Sequence, residues 1–196
     1  MNVISKLFKM PLLVICTIFT FHSSMATENA ETGAESFISD LGHRAIQSLT
    51  DGSIDTTFLQ LLDEGFDVDY IAGFVMRRHW SAFTNDQKKE FESIFRRRLK
   101  NTYAIRFKDY KGVNFNVKGS RPDGKRTLVQ TTIQKPGEPL TNVDWVVVKS
   151  GSGYKIQDVS VEGLSMGLTM ASDYSASYQR EGSSPETFLK HLKSLQ

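Results

Sequence analysis

The residue types best suited to chemistry lie near the C-terminus. Gly163-Leu164-Ser165-Met166-Gly167 fits G-x-S-x-G, and Asp173 and His191 follow it in the order Ser, Asp, His. A serine on a tight strand-to-helix turn, a histidine to take its proton and a carboxylate to orient that histidine would make a small secreted esterase. The surroundings of the motif argue against that. Such an elbow sits in a mostly parallel sheet, with further strands between nucleophile, acid and base. Here only helical sequence follows Ser165, and Asp173 comes almost at once. An esterase using Ser165 therefore stands as the alternative, not as the leading reading.

Other chemistry is harder to find. His43, His79 and His191 are scattered, without the H-x-x-x-H or clustered Cys/His spacing a metal requires. No phosphate-binding loop of the Walker or G-x-G-x-x-G kind occurs. Asp67 and Asp69 stand at a helix start, where capping and the helix dipole account for them. Arg77, Arg78, Arg96-Arg97-Arg98, Lys100 and Arg106 form a basic group that invites comparison with nucleic-acid binders. The group reads better as a solvated outer face, with anionic lipid headgroups or an acidic protein surface as its natural partner. The expectation is no metal, no cofactor and no nucleic acid.

The N-terminus bears on the last of these. Met1–Ala26 has the three parts of a signal peptide: Lys6 and Lys9, the apolar run Leu12–Phe21, and small residues at Ser24 and Ala26. The apolar run is too short to anchor the chain across a bilayer. Cleavage after Ala26 would take the formal charge from +2 to zero and remove Cys16, the only cysteine. A thiol-free chain in an oxidising compartment must be stabilised by packing. Residues 27–196 are expected to form a single domain in the periplasm.

The elements that would position any site follow from periodicity. Thr84–Tyr110 carries Phe91, Phe95, Leu99, Tyr103, Phe107 and Tyr110 at helical spacing, with Thr84 and Gln87 as a capping box. This long helix is expected to form one wall of whatever the protein encloses. Before it come helices at Ala34–Leu49, Ser53–Asp63 and from Asp67 to about Trp80, the last with Tyr70, Ile71, Phe74 and Val75 inward. After Gly112 the pattern alternates. Strands are expected at Val113–Lys118, Arg126–Gln134, Leu140–Lys149 and Tyr154–Glu162, joined by short Gly- and Pro-containing turns. Helices at Leu164–Arg180 and Glu186–Leu195 end the chain. Helices, then an antiparallel meander, then helices make an α+β fold.

Several stretches together resemble the toluene-tolerance/MlaC family of periplasmic phospholipid-binding proteins. They are Phe66-Asp67 leading to Arg78-His79-Trp80, Thr84 and Gln87 through Phe91, Leu99-Lys100-Asn101-Thr102-Tyr103, and Tyr154 through Ser165, which contains D-V-S-V-E-G-L-S. The resemblance runs through the mature chain in order. It implies a four-stranded, twisted antiparallel sheet closed by N- and C-terminal helices around an apolar cavity, with an NTF2-like shape. It also implies a non-enzymatic shuttle with phospholipid as cargo. The partners it implies are an outer-membrane lipoprotein–porin complex and an inner-membrane ABC transporter with an MCE subunit. On this resemblance Val75, Phe95, Leu99 and Tyr103 line the helical side of the cavity. Trp145, Val147, Val159 and Val161 line the sheet side, and Leu164 and Leu168 the closing helix. One departure stands out: where many members carry Asn-Tyr-Arg after the E-G-x-S run, this chain has Thr169-Met170-Ala171. That departure bears on the partner surface or the pocket mouth, and the resemblance also admits another lipid cargo, such as a hopanoid.

Overall fold

The aromatic run at the centre of the sequence does form a long helix. The computed structural model describes residues 24–195; of the expected leader, Met1–Ala26, residues 1–23 lie outside them. Helix α4 spans Asn85–Phe107, and a 3-10 turn, Lys108–Tyr110, extends it. Its start is closed as the capping box requires: the Thr84 amide donates to Gln87 Oε1 at 3.0 Å, and the Gln87 amide donates to Thr84 Oγ1 at 3.2 Å. Two orphan donors are thereby satisfied. Phe91, Ile94, Phe95 and Leu99 are buried on one face of α4, and Tyr103 is half-buried beyond them.

That face does not lie chiefly on the sheet. It packs against α2 (Ile54–Gly65), α3 (Val68–Met76) and α6 (Pro185–Ser194). Asp67 caps α3 by accepting from the Tyr70 amide at 3.3 Å. The helix stops at Met76, earlier than periodicity suggests, because Arg77 turns to φ 42° and the chain continues as a 3-10 turn, Arg77–Ala82. Serine and proline mark the start of α6: Ser184 accepts from the Thr187 amide and Pro185 takes the first position, where a missing N–H costs nothing.

The sheet is antiparallel with order β1-β2-β3-β4-β5. Its strands are β1 (Asn114–Asp123), β2 (Arg126–Gln134), β3 (Thr141–Ser150), β4 (Gly153–Val161) and β5 (Leu164–Ser165). Five strands thus stand where four are expected. Glu162 (φ 49°) and Gly163 (φ 77°) form a two-residue hairpin turn with both centres left-handed. The chain therefore returns along β4, pairing Leu164 with Val161 and Ser165 with Ser160, before entering α5 (Met166–Arg180). The first strand also runs further than expected, through Pro122 to Asp123. An edge strand tolerates that proline.

The main cover of β1 and β2 is α1 (Ser24–Thr50). Ala34, Ile38, Leu41 and Ala45 face the sheet in a cluster with Val129, Val147 and Ile156. Gly42 permits the close approach, since a Cβ there would lie 2.6 Å from the Phe115 ring. A second cluster joins α2, α3, α4, α5 and α6, and the half-buried Phe66 packs against both.

Candidate functional site

Ser165 is spoken for. Its hydroxyl donates to Asp158 Oδ2 at 2.5 Å, and its oxygen accepts from the Leu168 amide at 3.0 Å as the N-cap of α5. Asp158 Oδ1 also accepts from the amides of Val159 and Gly167, at 2.8 and 2.9 Å. His191 instead faces Glu181 at 3.4 Å. The G-x-S-x-G run is therefore a capping network that turns β5 into α5, and the D-V-S-V-E-G-L-S signature is its sequence form. Glu162 completes the corner: its amide donates to the Asn142 carbonyl at 3.0 Å, and its carboxylate accepts from the Asn142 amide.

The apolar residues expected to line a cavity divide between the two clusters. Val75, Phe95 and Leu99 are buried in the helical cluster, with Tyr103 half-buried against it. Val147 is buried in the sheet cluster, with Trp145 and Val159 at its edge and cross-strand partners of one another. Trp145 is held by its ring N–H, which donates to Thr131 Oγ1 at 2.9 Å. Val161 is half-buried and pairs with Val143. Leu164 and Leu168 are 73% and 52% exposed, and Leu164 belongs to β5 rather than to a closing helix.

Two concavities stand out among the described residues, and neither separates α4 from the sheet. The first, between α1 and β1, is an open polar groove that includes Glu35, Asp40, His43 and Lys118. The second, of about 420 Å³, lies where Arg77, Arg78 and His79 face α5. Its floor is Val75, Met76 and Ala171, all buried members of the helical cluster. Its rim carries Arg77, Arg78, Leu168, Ser172 and Ser175. His79 Nε2 lies 2.9 Å from Ser175 Oγ, and the His79 ring rests on Tyr178 with centroids 4.7 Å apart. This recess brings together two of the expected lining residues, Val75 and Leu168. It also adds basic groups that the sequence offered only as an outer face. No local pattern ties them to it, since His79 and Ser175 meet across a separation of 96 residues.

The basic group is otherwise dispersed. Arg96 pairs with Asp63, and Arg98 Nε donates to Tyr174 Oη at 3.3 Å. Burial pushes the Tyr174 phenol up, against the pull of the Arg98 guanidinium. Among the described residues no cluster of histidine, cysteine and carboxylates is arranged to hold a metal ion.

The family model described as MlaC protein matches residues 34–194. The chain belongs to the MlaC family. Membership supports lipid binding and transport as its general role and is consistent with a periplasmic location; MlaC proteins are carriers, and the chain is not an enzyme. Among solved structures, the phospholipid-binding protein from Ralstonia solanacearum, in complex with a phospholipid, superposes with a TM-score of 0.70 at 22% identity. The match covers 84% of this chain and 95% of that one. At that identity the likeness establishes a shared fold. It fits the α+β arrangement of helices around a five-stranded antiparallel sheet.

Proposed function

We propose that this MlaC-family chain is an exported phospholipid carrier. It would take acyl chains into the seam where its two apolar clusters meet and shuttle them across the periplasm. The family match over residues 34–194 carries this reading. The packing supports it: two separate clusters share Phe66, and half-buried apolar groups crowd their edges, Phe58 and Tyr103 on one side and Trp145 and Val159 on the other. A chain inserted there would complete the burial of those side chains. Each methylene taken from water contributes about 0.8 kcal/mol, so two acyl chains offset the loss of a bilayer without any covalent step.

On this reading Phe95, Leu99 and Tyr103 wall the helical side, Trp145, Val147, Val159 and Val161 the sheet side, and Leu164 and Leu168 stand at the mouth. Residues 1–26 direct export and are removed. Cargo passes between an outer-membrane lipoprotein–porin complex and an inner-membrane ABC transporter bearing an MCE subunit. The test is transfer of a fluorescent phospholipid between donor and acceptor vesicles. Wild-type protein accelerates transfer, and Tyr103→Glu, which places a charge in the seam, abolishes it with an unchanged far-ultraviolet circular dichroism spectrum. Undiminished transfer by a folded Tyr103→Glu variant would remove the seam from the mechanism. Faster transfer of a hopanoid than of any phospholipid would change the cargo and leave the site.

A further inference from the structure

The recess beside α5 has a chemistry that acyl-chain binding does not call for. Its floor is aliphatic, its rim holds Arg77 and Arg78, and no carboxylate lines it. Three arginines close on acids, Arg44 with Glu64, Arg96 with Asp63 and Arg126 with Asp123. Among the described residues Arg97, Arg98, Arg121 and Arg180 do not, and neither do Arg77 and Arg78. What sets Arg77 and Arg78 apart is that both line one recess with an apolar floor. Two guanidinium-bearing residues on one rim favour an anion, which would accept charge-assisted hydrogen bonds from them.

The backbone gives a second, independent observation. Arg77 sits at φ 42°, ψ −120°, a conformation unfavourable for any residue with a Cβ. It is held there because its amide donates to the carbonyls of Gly73 and Phe74 at the end of α3. The turn lays the guanidinium over the Phe74 ring, 4.9 Å from its centroid. The stack fixes the plane of the guanidinium and leaves its edge for a ligand. Across the recess, Ser175 is tied to His79 and Ser172 stands exposed at the rim.

We propose that this recess, between the Arg77–Ala82 turn and α5, is an anion subsite for the phosphate group of an amphiphile. Arg77 and Arg78 hold the charge, and Val75, Met76 and Ala171 receive the carbon atoms nearest to it. Its volume of about 420 Å³ falls within the range usual for small-ligand sites. The choice of an amphiphile rests on the carrier reading; the choice of an anion does not. The subsite would make the carrier prefer cargo with a phosphate over cargo of the same chain length without one.

The test uses calorimetry on the mature chain with three probes: dihexanoyl phosphatidic acid, dihexanoylglycerol and inorganic phosphate. Phosphatidic acid should bind tighter than the glyceride. The Arg77→Gln/Arg78→Gln variant should weaken phosphatidic acid by about tenfold or more and leave the glyceride unchanged. Arg77→Lys/Arg78→Lys, which keeps the charge, should recover part of the loss and guards against a folding defect. Equal binding of phosphatidic acid by wild type and the Gln variant overturns the subsite while the carrier reading stands. Inorganic phosphate binding as tightly as phosphatidic acid, with the same arginine dependence, overturns the amphiphile and makes this a site for free phosphate. Failure of both chain-bearing probes to bind at all overturns the carrier reading together with the amphiphilic ligand.

Discussion

The two apolar clusters are made of different material. In the helical one, aromatic rings interlock: Phe91 stacks on Phe95 and Phe188 with centroids 5.8 and 6.2 Å apart, and Tyr178 meets Phe188 edge-on at 5.4 Å. Phe91, Ile94, Phe95 and Phe188 have almost no exposed surface left. The sheet cluster has a small aliphatic centre, Val129, Val147 and Ile156, and keeps its aromatic groups, Phe37, Phe115, Trp145 and Tyr154, half-buried at the edge. Burial that is complete can only be lost, whereas an incomplete apolar edge can gain from an added chain. The helical cluster has a half-buried edge too, at Phe58 and Tyr103. On the proposed reading the fully buried rings are the scaffold, and the half-buried edges of both clusters are where cargo would add contact.

The widest gap between the layers should come from Phe91→Ala. It opens a cavity among rings that cannot collapse into it and should cost about 3–5 kcal/mol, read as a lower urea midpoint. Trp145→Ala should cost less, about 1–3 kcal/mol, because the side chain is half-buried and the loss is mainly packing plus its bond to Thr131. Its effect on lipid transfer should be the larger one; a variant with lower stability and undiminished transfer would erase the distinction between the layers. Thr84→Ala removes half of the capping box and should cost about 1 kcal/mol with no change in transfer.

The smallest effect at neutral pH belongs to Tyr174→Phe. Burial raises the Tyr174 phenol above its ordinary value, outweighing the Arg98 guanidinium. The folded state thus holds this proton more tightly than the unfolded state does. The resulting stability is complete below the ordinary tyrosine value of about 10 and is lost as pH rises through the folded one. Tyr174→Phe should blunt the alkaline limb of the unfolding profile and leave the acid limb as it is. An identical alkaline limb in the two proteins would contradict the burial assigned to this ring.

Local signals were the legible part of the fold. The Thr84/Gln87 box, the Asp67 cap and the strand Arg126–Gln134 all depend on neighbours within a few residues, and each appears where the sequence places it. Periodicity told that α4 buries a face but not what covers that face. The helices α2, α3 and α6 supply most of the cover, and α1 takes the sheet. β5 was hidden because its turn needs Glu162 at positive φ, which residue type does not announce. Leu164 and Leu168 are both expected on a closing helix, yet the hairpin puts Leu164 in β5, Leu168 stays in α5, and both stand exposed. The basic recess was illegible for a plainer reason: its two sides lie far apart in the chain and meet only through the packing of α3 on α5.

The central claim, that this chain carries lipid, is tested most directly by native mass spectrometry of the protein purified from the periplasm. Denaturation and lipid analysis would then identify whatever dissociates. The account predicts a discrete added mass that resolves into diacyl phospholipid and is absent from Tyr103→Glu. Clean apo protein that stays empty after incubation with phospholipid vesicles would contradict it.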